Sequence, residues 1–120
     1  MQITSKAKRI LLTIALTLAC AMAASVASAQ DAQQIKKGQA VYAAQKCQMC
    51  HQIAGTGNKA NPLDGVGAKL SAGDIRLWIT HPMDMTAKAK STKKPPMPNK
   101  YSSLPPGDLD ALVAYLASLK

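Results

Sequence analysis

Three separate stretches of the chain carry a helical hydrophobic rhythm. Over residues 33–46, Ile35, Val41 and Tyr42 fall near one face, with Gly38 on the same side. A glycine inside a helix costs stability, so Gly38 predicts another backbone crossing close by. Ser71-Ala72-Gly73-Asp74 reads as a capping box opening a short helix, with Ile75, Trp78 and Ile79 on one side. Pro82 ends that helix and biases His81 out of helical geometry. Over residues 106–119, Leu109, Leu112, Val113, Leu116 and Leu119 make an apolar stripe, with Tyr115 beside it. Pro106 suits the first turn of this last helix, and Asp108 suits its dipole. The stripe is expected to cross the first helix near Gly38.

The intervening segments are of a different kind. Residues 54–69 hold Gly55, Gly57, Gly65, Gly67, Asn58, Asn61 and Pro62, which is turn chemistry, and only Leu63, Val66 and Leu70 look buried. Residues 83–94 are polar and basic, with Lys88, Lys90, Lys93 and Lys94; they read either as a solvated loop or short exposed helical turn, or as a docking surface for an acidic partner. No strand signal and no internal repeat stand out. The pattern predicts an all-α domain of three main helices joined by loops.

Between the first helix and the glycine-rich loop stands Cys47-Gln48-Met49-Cys50-His51. Two thiols three positions apart, followed at once by an imidazole, read as covalent attachment of a c-type haem. Each thiol can add to one vinyl group on neighbouring porphyrin edges, and His51 can then supply one axial nitrogen. The composition gives this motif roughly one chance in a thousand of arising by accident. A thioredoxin-like redox pair would want a βαβ pattern around it. A zinc site would want about four N/S ligands, and beyond the motif only Cys20 and His81 remain. A backbone carbonyl in the loop at Asn61-Pro62-Leu63 can accept from the free ring N–H of His51 and fix its orientation. Pro95-Pro96-Met97-Pro98 is a stiff segment that presents a thioether, which is what a second axial ligand requires. Met97 is the expected ligand; Met83, Met85 and His81 are its competitors. Trp78 is expected against the haem edge.

The first 29 residues change the compartment. Lys6, Lys8 and Arg9 make a positive start, residues 10–18 an apolar run, and Ala27-Ser28-Ala29 a small-residue cleavage site, the pattern of a secretory signal. The run is short for a span of about twenty residues, which disfavours a membrane anchor. Thr17 is a poor start for a lipoprotein box ending at Cys20. With cleavage after Ala29, residues 30–120 form one domain exported to the bacterial periplasm, where haem is attached to cysteines. Its net charge falls from +9 to +6 on loss of three cations, since all six acids lie beyond residue 29. A basic domain favours acidic partners or an anionic surface; export and the lack of any nucleic-acid motif argue against nucleic acid. Phe is absent, and Tyr42, Trp78, Tyr101 and Tyr115 are the aromatic residues. So few large rings make a marginal core, which a buried porphyrin would complete.

These residues together resemble the class I, mitochondrial-type monohaem cytochromes c of bacterial periplasms. Gly38 with Val41-Tyr42 and the Cys47-Cys50-His51 motif are similar to that family's opening, and Met97-Pro98 with Tyr101 to its methionine loop. Leu112-Val113-Ala114-Tyr115-Leu116 is similar to its closing helix. Asn61-Pro62-Leu63 resembles its Gly-Pro-Leu loop, which implies that the Pro62 carbonyl holds His51. Asn61 departs from the usual glycine, Tyr42 from the common phenylalanine, and Pro105 from the usual Ser/Thr cap. The resemblance implies a small fold around one covalent haem held by His51 and Met97, and a monomeric one-electron carrier rather than an enzyme. It would serve between a dehydrogenase or respiratory complex and an oxidase, without membrane insertion after cleavage. The alternatives are a fixed electron-entry subunit of a dehydrogenase, or a peroxidase-like enzyme with an open iron position.

Overall fold

A computed structural model describes Ala29 and residues 31–120. The expected signal over residues 1–29 lies, Ala29 apart, outside the described residues. The compact unit spans Gln34–Lys120. Its elements follow in order: helix α1 over residues 31–44, a 3₁₀ turn at Cys47–Met49, strands β1 (Gln52–Ile53) and β2 (Thr56–Gly57), helices α2 (Val66–Lys69), α3 (Ala72–Thr80) and α4 (Pro82–Lys88), a second 3₁₀ turn at Asn99–Ser103, and helix α5 (Pro106–Ser118). The molecule is therefore mostly helical. No helix among the described residues is long and apolar enough to cross a membrane.

The α1–α5 crossing occurs where the glycine indicated. A Cβ placed on Gly38 would stand 2.1 Å from the Ala111 carbonyl oxygen and 2.5 Å from the Tyr115 Cβ. Tyr42 and Tyr115 meet edge to face beside it, with ring centroids 5.9 Å apart, and a Lys37–Asp108 ion pair of 2.9 Å flanks the crossing. Gly38→Ala gains about 1 kcal/mol of helix propensity. It must also push apart two helices whose contact includes an immovable carbonyl, which overpacking costs of about 1–3 kcal/mol or more outweigh. A net destabilisation of about 2 kcal/mol is expected, read as a lower denaturation midpoint with unchanged slope.

Helix α3 begins as its sequence predicts. Ser71 Oγ accepts from the Asp74 N–H (3.1 Å) and donates to the Asp74 carboxylate (2.8 Å). The helix ends at Thr80, and Pro82 then opens α4 at its first position, where a missing N–H costs nothing. Residues 82–88 form a helix, the helical one of the two forms expected for this polar stretch, but not a wholly exposed one, because Pro82 and Met85 turn inward and are buried. Helix α3 packs on α5, and Arg76 and Asp110 pair across that contact. The core is made by Val41, Tyr42, Ile75, Ile79, Tyr101, Leu109, Leu112, Val113, Tyr115 and Leu116.

The loop region expected over residues 54–69 overlaps two ordered pieces. The first is a hairpin, Gln52 opposite Gly57 and Ile53 opposite Thr56, turned by Ala54 (φ 49°) and Gly55 (φ 80°). Two positive φ values in a two-residue turn suit the right-handed strand twist. The second is α2, which lies against the end of α5: the Gly67 N–H donates to the Leu119 carbonyl at 2.8 Å, an approach that any side chain at Gly67 would block.

Candidate functional site

The walls of the core do not meet in the middle. Two adjoining cavities of about 180 and 440 Å³ open between α1, α3, α5 and the 89–98 loop. Cys47, His51, Trp78 and Met97 line both of them. The inner cavity is otherwise walled by apolar side chains, Leu63, Val66, Leu70, Ile75, Ile79, Leu112 and Leu116 among them. The outer one reaches Cys50, Asn61, Pro96, Tyr101 and the cations Lys46 and Lys93.

Each functional side chain has a local reason for its place. Helix α1 ends at residue 44, Lys46 takes a left-handed φ of 56°, and this reverses the chain into the 3₁₀ turn at Cys47–Met49. The Cys50 and His51 N–H groups both donate to the Cys47 carbonyl, at 3.1 and 3.0 Å. That single tight turn holds the two thiols and the imidazole together. Neither thiol is in a disulfide; Cys47 is half-buried and Cys50 exposed. Burial raises the Cys47 thiol above its ordinary range.

His51 is held from several sides. Its Nδ1 lies 3.1 Å from the Asn61 carbonyl oxygen. A carbonyl can only accept, so Nδ1 carries the proton and Nε2 keeps its lone pair. Burial lowers the His51 pKa, partly countered by the Asn61 bond, and so favours the neutral ring that can ligate a metal. The carbonyl that orients it is that of Asn61, not of Pro62. The Gln52 N–H donates to the same Asn61 oxygen (3.2 Å) and the Leu63 N–H to the Gln52 oxygen (2.8 Å), so this parallel bridge turns the Asn61 carbonyl toward the ring and leaves Pro62 exposed, outside both cavity linings. Two asparagine side chains brace the backbone below: Asn61 Nδ2 donates to the Cys50 carbonyl and Asn58 Nδ2 to the Met49 carbonyl, both at 3.2 Å. The Tyr42 hydroxyl donates weakly to the His51 carbonyl at 3.5 Å. Burial pushes this phenol up to about 12 and keeps it a donor.

Met97 faces both cavities from its proline-framed loop. Its competitors do not: Met83 is 56% exposed, Met85 is buried in the packing of α4, and His81 is exposed with Nδ1 2.8 Å from the Thr80 hydroxyl. None of the three lines either cavity. Among the described residues no three His, Cys, Asp or Glu side chains converge to hold a bare ion.

The donor set suits a haem. Two thiols lie at the mouth, an imidazole presents a free Nε2, a thioether lines the same space, and the walls between are apolar. The volumes fall together in the roughly 300–1,000 Å³ range of cofactor sites. Such a helical shell around such a cleft defines a domain for covalent haem and one-electron transfer. The cytochrome c family model matches residues 35–120, and the chain belongs to that family. It is thus a haem-binding electron-transfer protein. No curated protein and no solved structure matches the chain.

Proposed function

We propose that this protein is an exported, monomeric carrier that moves single electrons through the bacterial periplasm, from a dehydrogenase or respiratory complex to an oxidase. The observation that carries this reading is the placement of His51 and Met97 in one cleft. Cys47 and Cys50 would hold the haem covalently, and His51 and Met97 would ligate its iron. When bound, the group supplies a ferrous–ferric couple, which a thioether ligand biases toward ferrous. Because His51 and Met97 line the same cleft, both could ligate the iron and so would keep peroxide or a gas from it, which favours the carrier over the enzyme. The 1–29 signal pattern supports export.

The protein's own residues set the rest. The apolar walls exclude water, the Asn61 carbonyl fixes the imidazole, and cations gather at the mouth. Lys46 and Lys93 line the outer cavity, and Lys100 stands 4.9 Å from the Tyr101 ring centroid in the same wall. On α5, Asp108 and Asp110 are already paired with Lys37 and Arg76. The cavity mouth therefore suits an acidic partner, docked weakly through a small interface.

The test is electron exchange with two inorganic complexes of opposite charge. Reduction by anionic hexacyanoferrate is expected to slow as salt rises, and reaction with cationic hexaammineruthenium to quicken. In Lys46→Glu with Lys100→Glu, the anionic rate at low salt is expected to fall about tenfold. Equal salt response for both complexes would remove the cationic mouth from the account. Stable co-purification with a dehydrogenase would reassign the protein as its electron-entry subunit.

A further inference from the structure

The two loops that carry the axial donors differ in how they are held. The 58–63 loop is tied down by the Ala60 N–H to Asn58 Oδ1 bond (2.9 Å), the Asn61 amide on Cys50, and the Gln52–Asn61 and Gln52–Leu63 bonds. From Lys94 to Met97, by contrast, no hydrogen bond ties the chain to another element among the described residues. Two of these four residues are prolines and have no N–H to offer. Just ahead of them, Lys93, which lines the outer cavity, donates from its Nζ to the Ala60 carbonyl at 2.9 Å. Ala60 immediately precedes the residue whose carbonyl orients His51. Lys93, Asn61 and Met97 all line this cavity.

We propose that Lys93 is a positioning residue for Met97: its ammonium clasps the loosely held methionine loop to the firmly held histidine loop beside the outer cavity. This rests on the reading of His51 and Met97 as the two axial donors. The clasp does not make the methionine a ligand; it limits how often the loop swings out. Neighbouring Lys94 carries the same charge one residue on but makes no such bond among the described residues, which separates the contact from the charge. The bond is exposed to water, so its worth is modest. At the usual net value of a hydrogen bond, its loss raises the open population about three- to tenfold.

The experiment uses the haem-loaded protein and imidazole as a neutral entering ligand, so that removing a charge does not by itself change encounter. Lys93→Met is expected to bind imidazole about three- to tenfold faster than wild type in the ferric state. Lys94→Met should match wild type, and Lys93→Arg, which restores a long cationic donor, should lie near it. In the ferrous protein, NMR of the Met97 methyl group should show exchange broadening in Lys93→Met and not in Lys94→Met. Thermal midpoints should be close across the series, which a merely structural loss would not give. The clasp is overturned if Lys93→Met and Lys94→Met behave alike in both measurements. A wild-type ferric spectrum without a deep-red sulfur-to-iron band would sink the ligand assignment instead, and the methyl broadening alone would then decide for or against the clasp.

Discussion

Replacing Cys47 and Cys50 together by alanine is expected to yield a colourless chain that has lost most of its cooperative fold. The reason is the hollow core. An apolar cavity costs about 24 cal/mol per Å³, so the inner space of about 180 Å³ would cost about 4 kcal/mol if left empty. A domain of this size has a total stability of only about 5–14 kcal/mol, at roughly 0.05–0.15 kcal/mol per residue. The outer cavity, the half-buried Met97 and the absence of phenylalanine leave little to offset that loss. Far-ultraviolet circular dichroism with denaturant titration checks it. A double variant that keeps native helix content and a steep unfolding transition would show that the helices pack adequately without the group between them. Single replacements should retain one thioether and fall between the two extremes.

The second large effect is expected at Met97. Met97→Ala should keep covalent haem and the fold but lower the reduction potential by on the order of 0.1–0.3 V, within the roughly 0.8 V that axial ligands span. Both parts follow from position. The side chain is half-buried at the cavity wall rather than in the α3–α5 contact, so truncation should cost about 2 kcal/mol, the low end for a methionine. The thioether would also be the neutral sulfur donor that favours the ferrous state. Film voltammetry with parallel circular dichroism separates the two. An unchanged potential would hand the distal role to another side chain, and Met83, Met85 and His81 would first have to be brought into a cleft they do not line.

Much of this site is readable before any coordinates, because it rests on covalent chemistry with fixed spacing. Cys47, Cys50 and His51 stand out by their spacing and Met97 by the prolines around it, and the fold brings all four to adjoining cavities. The helices were legible where apolar period and caps agree, as at Ser71–Ile79 and Pro106–Leu119. What escaped was held together by backbone. The Ala54–Gly55 turn lacks the Asn-Gly signature that marks such hairpins, and its two-residue strands have no room for alternation. Helix α2 is four residues long and is fastened through the Gly67 amide, so no side-chain rhythm marks it. Helix α4 is polar over most of its length, and only Pro82 and Met85 show that it packs. Asn58 and Asn61 looked like turn formers, because the carbonyls they bind have no letter in a sequence. The exchange of Pro62 for Asn61 as the histidine's acceptor has the same origin: one bridge between Gln52 and Pro62 decides which carbonyl turns inward.

The unequal fastening of the two donor loops has a consequence for how the molecule fails. Stress that loosens it, whether mild denaturant, heat or an oxidant that converts a thioether to a sulfoxide, should find the sulfur side first. The imidazole side, which two thioether bonds from Cys47 and Cys50 would sew to the haem and which a net of amide contacts holds, should outlast it. Damaged protein would then stay red while gaining an appetite for small ligands, so that colour alone is a poor measure of whether it is intact.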